Sequence, residues 1–457
     1  MLTTHKHIHA TVTGWTPETW RSCTALHQPT YPCPTEHRQA LQTLARRPAL
    51  VCADKILQLK VLIAQAQDGE RFILQGGDCA ESFDQCSSKA VTQQIKVLQQ
   101  MAQILMQRLH MPVVCLGRLA GQYAKPRSSG SETQGQKTLP VYRGDIVNGS
   151  AFTHEERRAD PQRLLQAHAH CASTLGFVRA LYETGVDDLL KPAHWATEWI
   201  NALPEREDFH RTVQDVQHSS HFMASLAGSD ADKFLHRETF FSHEALLLDY
   251  EHGLTRQVPG FDGWFNLSTH FPWIGKRTAE LDGAHVEYCR GIRNPLGVKV
   301  GAEVTPEALL ALINRLNPHN EPGRLTLIHR MGAEHLREKL PALLNAVHRS
   351  GAKVLWLCDP MHGNTETLAC GTKTRRFEQI MTEIEEAFSV HREHGTRLGG
   401  LHLELTGDDV TECLGGARNL QPDDLSRRYL SKVDPRLNYE QSLELALRVA
   451  HLEHAPR

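Results

Sequence analysis

The chain reads as an α/β protein: a (β/α)8 TIM barrel with an N-terminal extension and an inserted helical element. Three observations predict it. Strand-like apolar runs alternate with helix-period segments through most of the chain, the pattern of parallel strands joined by crossover helices. Residues capable of chemistry sit at the C-terminal ends of several of these runs or just beyond, where a barrel carries its site. The 457 residues suffice for one large barrel with insertions. An open doubly wound sheet also presents ligands at strand C-termini. Candidates spread over so many separate strands favour a closed ring.

Residues 1–50 read as the extension, punctuated by Pro17, Pro29, Pro32, Pro34 and Pro48, with one short helix expected around Pro34 to Arg47. The alternating His5, His7 and His9 can bind a metal, although a surface or edge strand is the simpler account. The barrel is expected over 51–457. Segment 54–67 has helical spacing, and RFILQGGDC follows as a buried strand ending in a glycine pair. Segment 87–110 is a second helix, followed by the strand PVVCLGRLAG. Residues 126–150 lack periodicity and read as a long functional loop. Residues 160–235 are mostly helical and read as an insertion between barrel units. Strands GWFNLSTH, PLGVKVG, RLTLIHR, KVLWLCD and GGLHLEL then alternate with helices that include 305–316, 333–349, 374–394 and 438–453. No internal repeat is found.

Composition narrows the function classes. Hydrophobic residues make up 40%, enough for a sizeable core. A formal net charge of -3 gives no electrostatic footprint for nucleic acid. The N-terminus lacks the apolar run of a secretory signal, and no stretch reaches the length of a membrane span. The 11 cysteines form no dense framework. A cytoplasmic protein with mostly reduced thiols is expected.

Four separated stretches offer metal-binding side chains: Cys79 in LQGGDCAESF, His362 in WLCDPMHGNT, Glu404 in GGLHLELTG and Asp434 in KVDPRLN. Each alone has a simpler account: a buried thiol, a satisfied imidazole, a strand carboxylate and a turn-starting Asp. Together, a thiolate, an imidazole and two carboxylates suit a divalent transition metal with an open position. Strand alternation places His402 and Glu404 on one face. Basic residues lie between these stretches. Lys125, Arg127 and Ser128 flank a rigid Pro126 and can clamp a phosphate, though a solvated basic loop would look the same. Arg118 and Arg277 lie on similar segments. Lys299 and Arg330 end strongly apolar strands, where a charge needs an anionic partner, either a protein carboxylate or a substrate. No dinucleotide fingerprint, Walker loop or zinc knuckle is present.

Taken in order, LQGGDCAESF, GRLAGQYAKPRS, YRGDIVNG, SHEALLLDYE, WIGKRT, LDGAHVEYCRGI, NPLGVKVG, PHNEPGRLTLIHRMGAE, DPMHGNT, KTRRF, GGLHLELTGDDVTECLGG and DPRLNYEQSLELA resemble the type II (plant-like) 3-deoxy-D-arabino-heptulosonate 7-phosphate synthases over about 54–453. The resemblance implies a (β/α)8 barrel that condenses phosphoenolpyruvate with erythrose 4-phosphate, the first step of the shikimate pathway. It implies a divalent metal, Mn2+ or Co2+ foremost, with Zn2+, Fe2+ or Cd2+ as others, held by Cys79, His362, Glu404 and Asp434. Arg118, Arg277, Lys299 and Arg330 become phosphoenolpyruvate ligands, with Trp273 and Lys276 close by. Lys125, Arg127 and Ser128 become candidates for the aldose phosphate. Lys299, Arg330 and His362 become the catalytic candidates. A homodimer or homotetramer and aromatic amino acid effectors are implied as well.

Four positions depart from the family pattern. Lys276 stands where an acidic residue is usual, Arg293 and His329 where small or aliphatic residues are usual, and Val433 in place of a Cys. The first three are expected to add positive or titratable character near the phosphates. They leave room for a paralogue supplying a secondary pathway, of the phenazine or aminoshikimate type. A non-catalytic homologue and a metal-dependent sugar-acid aldolase are the remaining alternatives. Release of phosphate from phosphoenolpyruvate separates a synthase from both.

Overall fold

Eight short apolar-rich runs form the parallel strands of one closed barrel: β1 (Phe72–Gly77), β2 (Val113–Arg118), β3 (Thr239–Glu244), β4 (Phe271–Ile274), β5 (Leu296–Gly301), β6 (Leu325–Arg330), β7 (Val354–Cys358) and β8 (Gly400–Glu404). Strand β1 pairs with both β2 and β8, so the ring closes and no edge is left open. This is a computed structural model, and it describes residues 14–184, 191, 195–227 and 238–452. His5, His7 and His9 lie outside the described residues, as does part of 160–235. Among the described residues, no helix is long and apolar enough to cross a membrane. The 11 cysteines are all free.

Side-chain alternation divides the core in two. Ile73, Leu116, Ile328 and Leu357 point into the ring, where Leu59, Ile63 and Ala66 of helix Ala53–Gln67 close the N-terminal end. Leu74, Val298, Leu327 and Leu403 point outward and form the larger core with the surrounding helices. Local signals set where those helices start and stop. Ser87 accepts from Ala90 N to open helix Ser88–Leu109. Thr305 and Pro306 open helix Pro306–Leu316, and a left-handed Gly351 closes Leu336–Ser350.

Three sequence expectations change here. TFFSHE supplies β3, which the pattern did not reveal because Ser242 and Glu244 break its apolar run on the inward face. GWFNLSTH does not enter the barrel. Its Trp264–Asn266 pairs antiparallel with Thr255–Gln257, and the fourth barrel strand is the next run, Phe271–Ile274, whose Pro272 weakens the strand signal. Residues 126–150 hold a small hairpin of Ser131–Gln134 and Lys137–Pro140. The helices Gln162–Thr184 and Arg206–Ala227 lie between β2 and β3 in sequence.

Gly77 ends β1 with φ 151°, and a Cβ there would meet Arg118 O at 2.5 Å. The backbone of β1 can approach β2 closely only because that side chain is missing. Gly77→Ala is expected to destabilise the fold by about 2 kcal/mol or more, read as a lower urea midpoint at unchanged slope. A midpoint equal to the parent's would show that the two strands do not meet this tightly.

Candidate active site at the C-terminal mouth of the barrel

Inward-facing positions two residues apart stack into layers, and the layers change character up the barrel. Above the apolar layer lies a polar one. Gln75 donates to Ser242 Oγ at 3.0 Å, and its Oε1 lies 2.7 Å from His402 Nδ1. Above that, Leu116 gives way to Arg118, Ile328 to Arg330, and His402 to Glu404, with Lys299 beside them. The strand ends therefore deliver charge to the mouth.

Cys79, Glu404 and Asp434 bring one donor atom each to within 4.8 Å of one another. His362 joins them, with Nε2 3.0 Å from Glu404 Oε1. The Lys125 ammonium sits among all four: 2.9 Å from Cys79 Sγ, 3.0 Å from Asp434 Oδ2, 3.3 Å from Glu404 Oε1 and 3.4 Å from His362 Nε2. A cation thus already occupies the point on which the four groups converge. His362 Nδ1 faces Asp359 Oδ2 at 2.8 Å, which fixes the ring proton there and turns the Nε2 lone pair toward the cluster. A lone pair facing a carboxylate oxygen requires a proton or a cation between them. The donor set and this geometry fit a divalent metal ion.

The surrounding charges tune each member. Against burial, which would raise them, His362, Lys125, Arg375 and Arg118 hold the Glu404 carboxyl well below the usual range, and Lys125 does the same for Asp434. Burial, then Glu404 and Asp434, push the Cys79 thiol up. Glu404 also accepts from Arg118 at 3.0 Å and Arg375 at 2.8 Å. Arg375 comes from KTRRF, a motif noted in the sequence without a role, and its burial in the ring was not foreseen.

Asp359 also lay unassigned within its motif. It receives Lys299 Nζ, His362 Nδ1 and the amides of Met361 and His362. The anionic partner that Lys299 demanded is therefore a protein carboxylate. Burial, with Arg118 and Arg330 nearby, presses Lys299 down to about 7, while Asp359 opposes the shift. Arg330 donates one Nη2 bond to His362 O at 2.9 Å and leaves Nε unpartnered.

A cavity of about 200 Å³ opens beside this cluster. Arg118, Lys125, Lys276, Arg277, Lys299 and Arg330 line it, and so does Trp273, over whose ring Arg118 lies at 5.2 Å. Lys276 is half-exposed at the rim and paired with Glu303 at 2.8 Å. Arg277 reaches Pro126 O at 3.3 Å. Arg127 and Ser128 do not line the cavity. They lie just beyond Pro126, and Arg127 instead helps hold Glu132 low, behind the larger effects of Arg157, on the hairpin. Lys373, also unforeseen, lines the cavity and pairs with Asp434 at 2.9 Å.

Glu244, at the end of β3, also lines the cavity and went unforeseen because its strand did. Its Oε1 has no partner, and burial raises its pKa although Lys125, Lys299, Arg118 and Arg277 pull it down. Gly275 makes room for it, since a Cβ there would meet Glu244 Oε1 at 2.0 Å.

Two of the departures do not sit near the cavity. Arg293 precedes β5, six residues and roughly 20 Å of extended chain before Lys299, so it belongs to the opposite end of the barrel. His329 points outward, the opposite way to Arg330, and burial lowers it to about 3. It stays neutral near pH 7 and cannot supply charge to a phosphate. Val433 packs against Cys79 and Tyr142.

A closed barrel whose mouth gathers side chains that could hold a metal ion beside a ring of cations has the build of a barrel enzyme for anionic substrates. Comparison with known proteins narrows this. The model of the class-II DAHP synthetase family matches residues 15–450. A phospho-2-dehydro-3-deoxyheptonate aldolase of Streptomyces coelicolor is 46% identical over 434 residues, covering 95% of this chain and 96% of its own. The enzyme of the same name from Neurospora crassa is 42% identical over 453 residues, covering 96% and 94%. The chain belongs to the class-II DAHP synthetase family and is an enzyme, a transferase of that class.

Asp359→Asn keeps the shape of the support but removes the charge that fixes the His362 ring. Its affinity for Mn2+, measured by titration calorimetry, is expected to fall about 10- to 100-fold. Unchanged affinity would mean that His362 is oriented by something else.

Proposed function

We propose that the enzyme joins phosphoenolpyruvate to erythrose 4-phosphate with release of phosphate, using a divalent metal, in the supply of aromatic precursors. The observation that carries this reading is the convergence of Cys79, His362, Glu404 and Asp434 on one cation position beside a cavity lined by basic residues. When bound by these four side chains, Mn2+ or Co2+ supplies Lewis-acid polarisation of the aldehyde.

The rest falls to the chain's own groups. Arg118, Lys299, Arg330 and Arg277 hold the phosphate and carboxylate of phosphoenolpyruvate, an orientation task worth a large share of the barrier. C3 of phosphoenolpyruvate attacks the aldehyde carbon, and the new alkoxide takes a proton. Glu244, buried and raised in pKa, is the donor best placed to give it. Water adds at C2, and the C–O bond to phosphate then breaks. Lys125, which meets the four converging side chains and also lines the cavity, is suited to the second substrate. Arg127 and Ser128 would need the hairpin loop to close over the cavity to reach it.

The test is phosphate release from phosphoenolpyruvate in the presence of erythrose 4-phosphate, with and without added Mn2+ or Co2+. A sugar-acid aldolase or a non-catalytic homologue would release none. Cys79→Ala is expected to lose the metal-dependent turnover. Lys299→Ala and Arg330→Ala should each cost at least ~1.5 kcal/mol in phosphoenolpyruvate binding or turnover. Wild-type kinetics in both would leave these cations with a structural role only.

Glu244→Gln is expected to lower kcat about 100-fold while phosphoenolpyruvate affinity holds. An acid must be protonated to act, so the Glu244-dependent rate should fall as pH rises through its elevated pKa, and this limb should vanish in the variant. A limb that persists in Glu244→Gln would assign the acid elsewhere.

A further inference from the structure

A second buried cluster lies behind this site, on the outward face of the same strands. His329 of β6 and Cys358 of β7 are register partners, and both side chains point away from the barrel axis. Helix Phe377–Glu393 packs over them and brings Glu383 and His391. One ligand atom each from His329, Cys358 and Glu383 lies within 4.8 Å of the others, and all three residues are 0% exposed.

The partners of this cluster are incomplete. Both ring nitrogens of His329 lack a hydrogen bond. His391 places Nδ1 2.9 Å from Thr396 Oγ1, but its Nε2 is also unpartnered, and its ring lies 5.7 Å from that of His329. Buried polar groups rarely go unpaired. An imidazole with no partner facing one thiol and one carboxyl, with a second open imidazole ring beside it, points to a common partner that the protein does not itself supply.

The donors identify its chemistry. Imidazole nitrogen, thiolate sulfur and carboxylate oxygen together are a zinc set. One thiolate and one carboxylate neutralise a divalent ion while the imidazoles stay neutral, so the filled site would bury no net charge. Without an ion, burial holds Glu383 up at about 8 and the Cys358 thiol well above its usual value. Loading therefore sends two protons to solvent, one from sulfur and one from the carboxyl. Glu383 Oε1 already accepts from Met331 N and Gly332 N at 3.0 Å each, and Oε2 from Asn364 at 2.7 Å, which leaves a lone pair on Oε2.

We propose that His329, Cys358 and Glu383 form a structural zinc site separate from the Cys79 cluster, with the neighbouring His391 ring turning in as fourth donor. The site would brace two loops at once. Glu383 holds the turn that follows Arg330, and through Asn364 the loop that carries His362.

The full-length protein, dialysed exhaustively against EDTA, is expected to retain about one zinc per chain by plasma emission, because the site has no opening to solvent. Cys79→Ser, which disables the open cluster, should retain the same amount. His329→Ala should retain none and melt at a lower temperature. The proposal is overturned by a chelated parent without zinc, or by a folded His329→Ala with the parent's content. If His329→Ala does not fold, Cys79→Ser protein expressed with Co2+ decides. A thiolate-to-cobalt absorption band that is lost on adding Cys358→Ser supports the site, and its absence from Cys79→Ser overturns it.

Discussion

Everything at the mouth of the barrel is arranged around one fully buried carboxylate, Glu404. It ends β8 facing inward, where its two oxygens receive Arg118 and Arg375 and face Lys125 and His362. A charge in that position would be untenable alone, since breaking one side of a buried pair costs about 3–5 kcal/mol. Each neighbour is in turn committed. Arg118 also donates to the carbonyls of Asp78 and Cys79, which sets the chain direction just where the thiol leaves β1. Arg375 also donates to Pro435 O, and so draws in the segment that bears Asp434. The two carboxylates of the cluster are thus held by Arg375 and by three cations that line the cavity, Arg118, Lys125 and Lys373.

A second set of buried charges fixes the loops rather than the strands. Arg436 pairs with Asp78 at 2.8 Å and Glu412 at 2.7 Å, and Glu412 also accepts from the amides of Leu430 and Ser431. Glu81 accepts from three successive amides, Ala120, Gly121 and Gln122, and so shapes the turn that leads to Lys125. These carboxylates do not line the cavity at the mouth. They hold irregular backbone, which would otherwise be free to move, at the positions the strand ends cannot reach. Mobility of the mouth is therefore limited by ion pairs several residues away from the groups expected to meet substrate.

The two roles assigned to Lys125 compete for one ammonium. In the structure it is bound by Cys79, Glu404 and Asp434, and a divalent ion there would displace it by repulsion and by occupying the same point. The displaced side chain has the cavity to enter, because it already lines it. Loading the metal and readying a cation for the second substrate would then be one event.

The repeating alternation of strand and helix, read in the sequence alone, was enough for the barrel, because periodicity is local and each inward position follows from counting by twos. The same count put His402 and Glu404 on one face and marked Lys299 and Arg330 as charges needing a partner. Strand β3 escaped it because Ser242 and Glu244 interrupt the apolar run, and with it went Glu244. Asp359, Arg375 and Lys373 stood inside motifs already noted, yet nothing local separates a supporting carboxylate or cation from a solvated one. His329 and Arg330 are adjacent letters with opposite surroundings, one in a dry interlayer and one at the mouth. Sequence determined the ring and the kinds of residue at its rim. Only the tertiary structure decided which charges meet, because pairing depends on distances across the barrel between residues hundreds of positions apart.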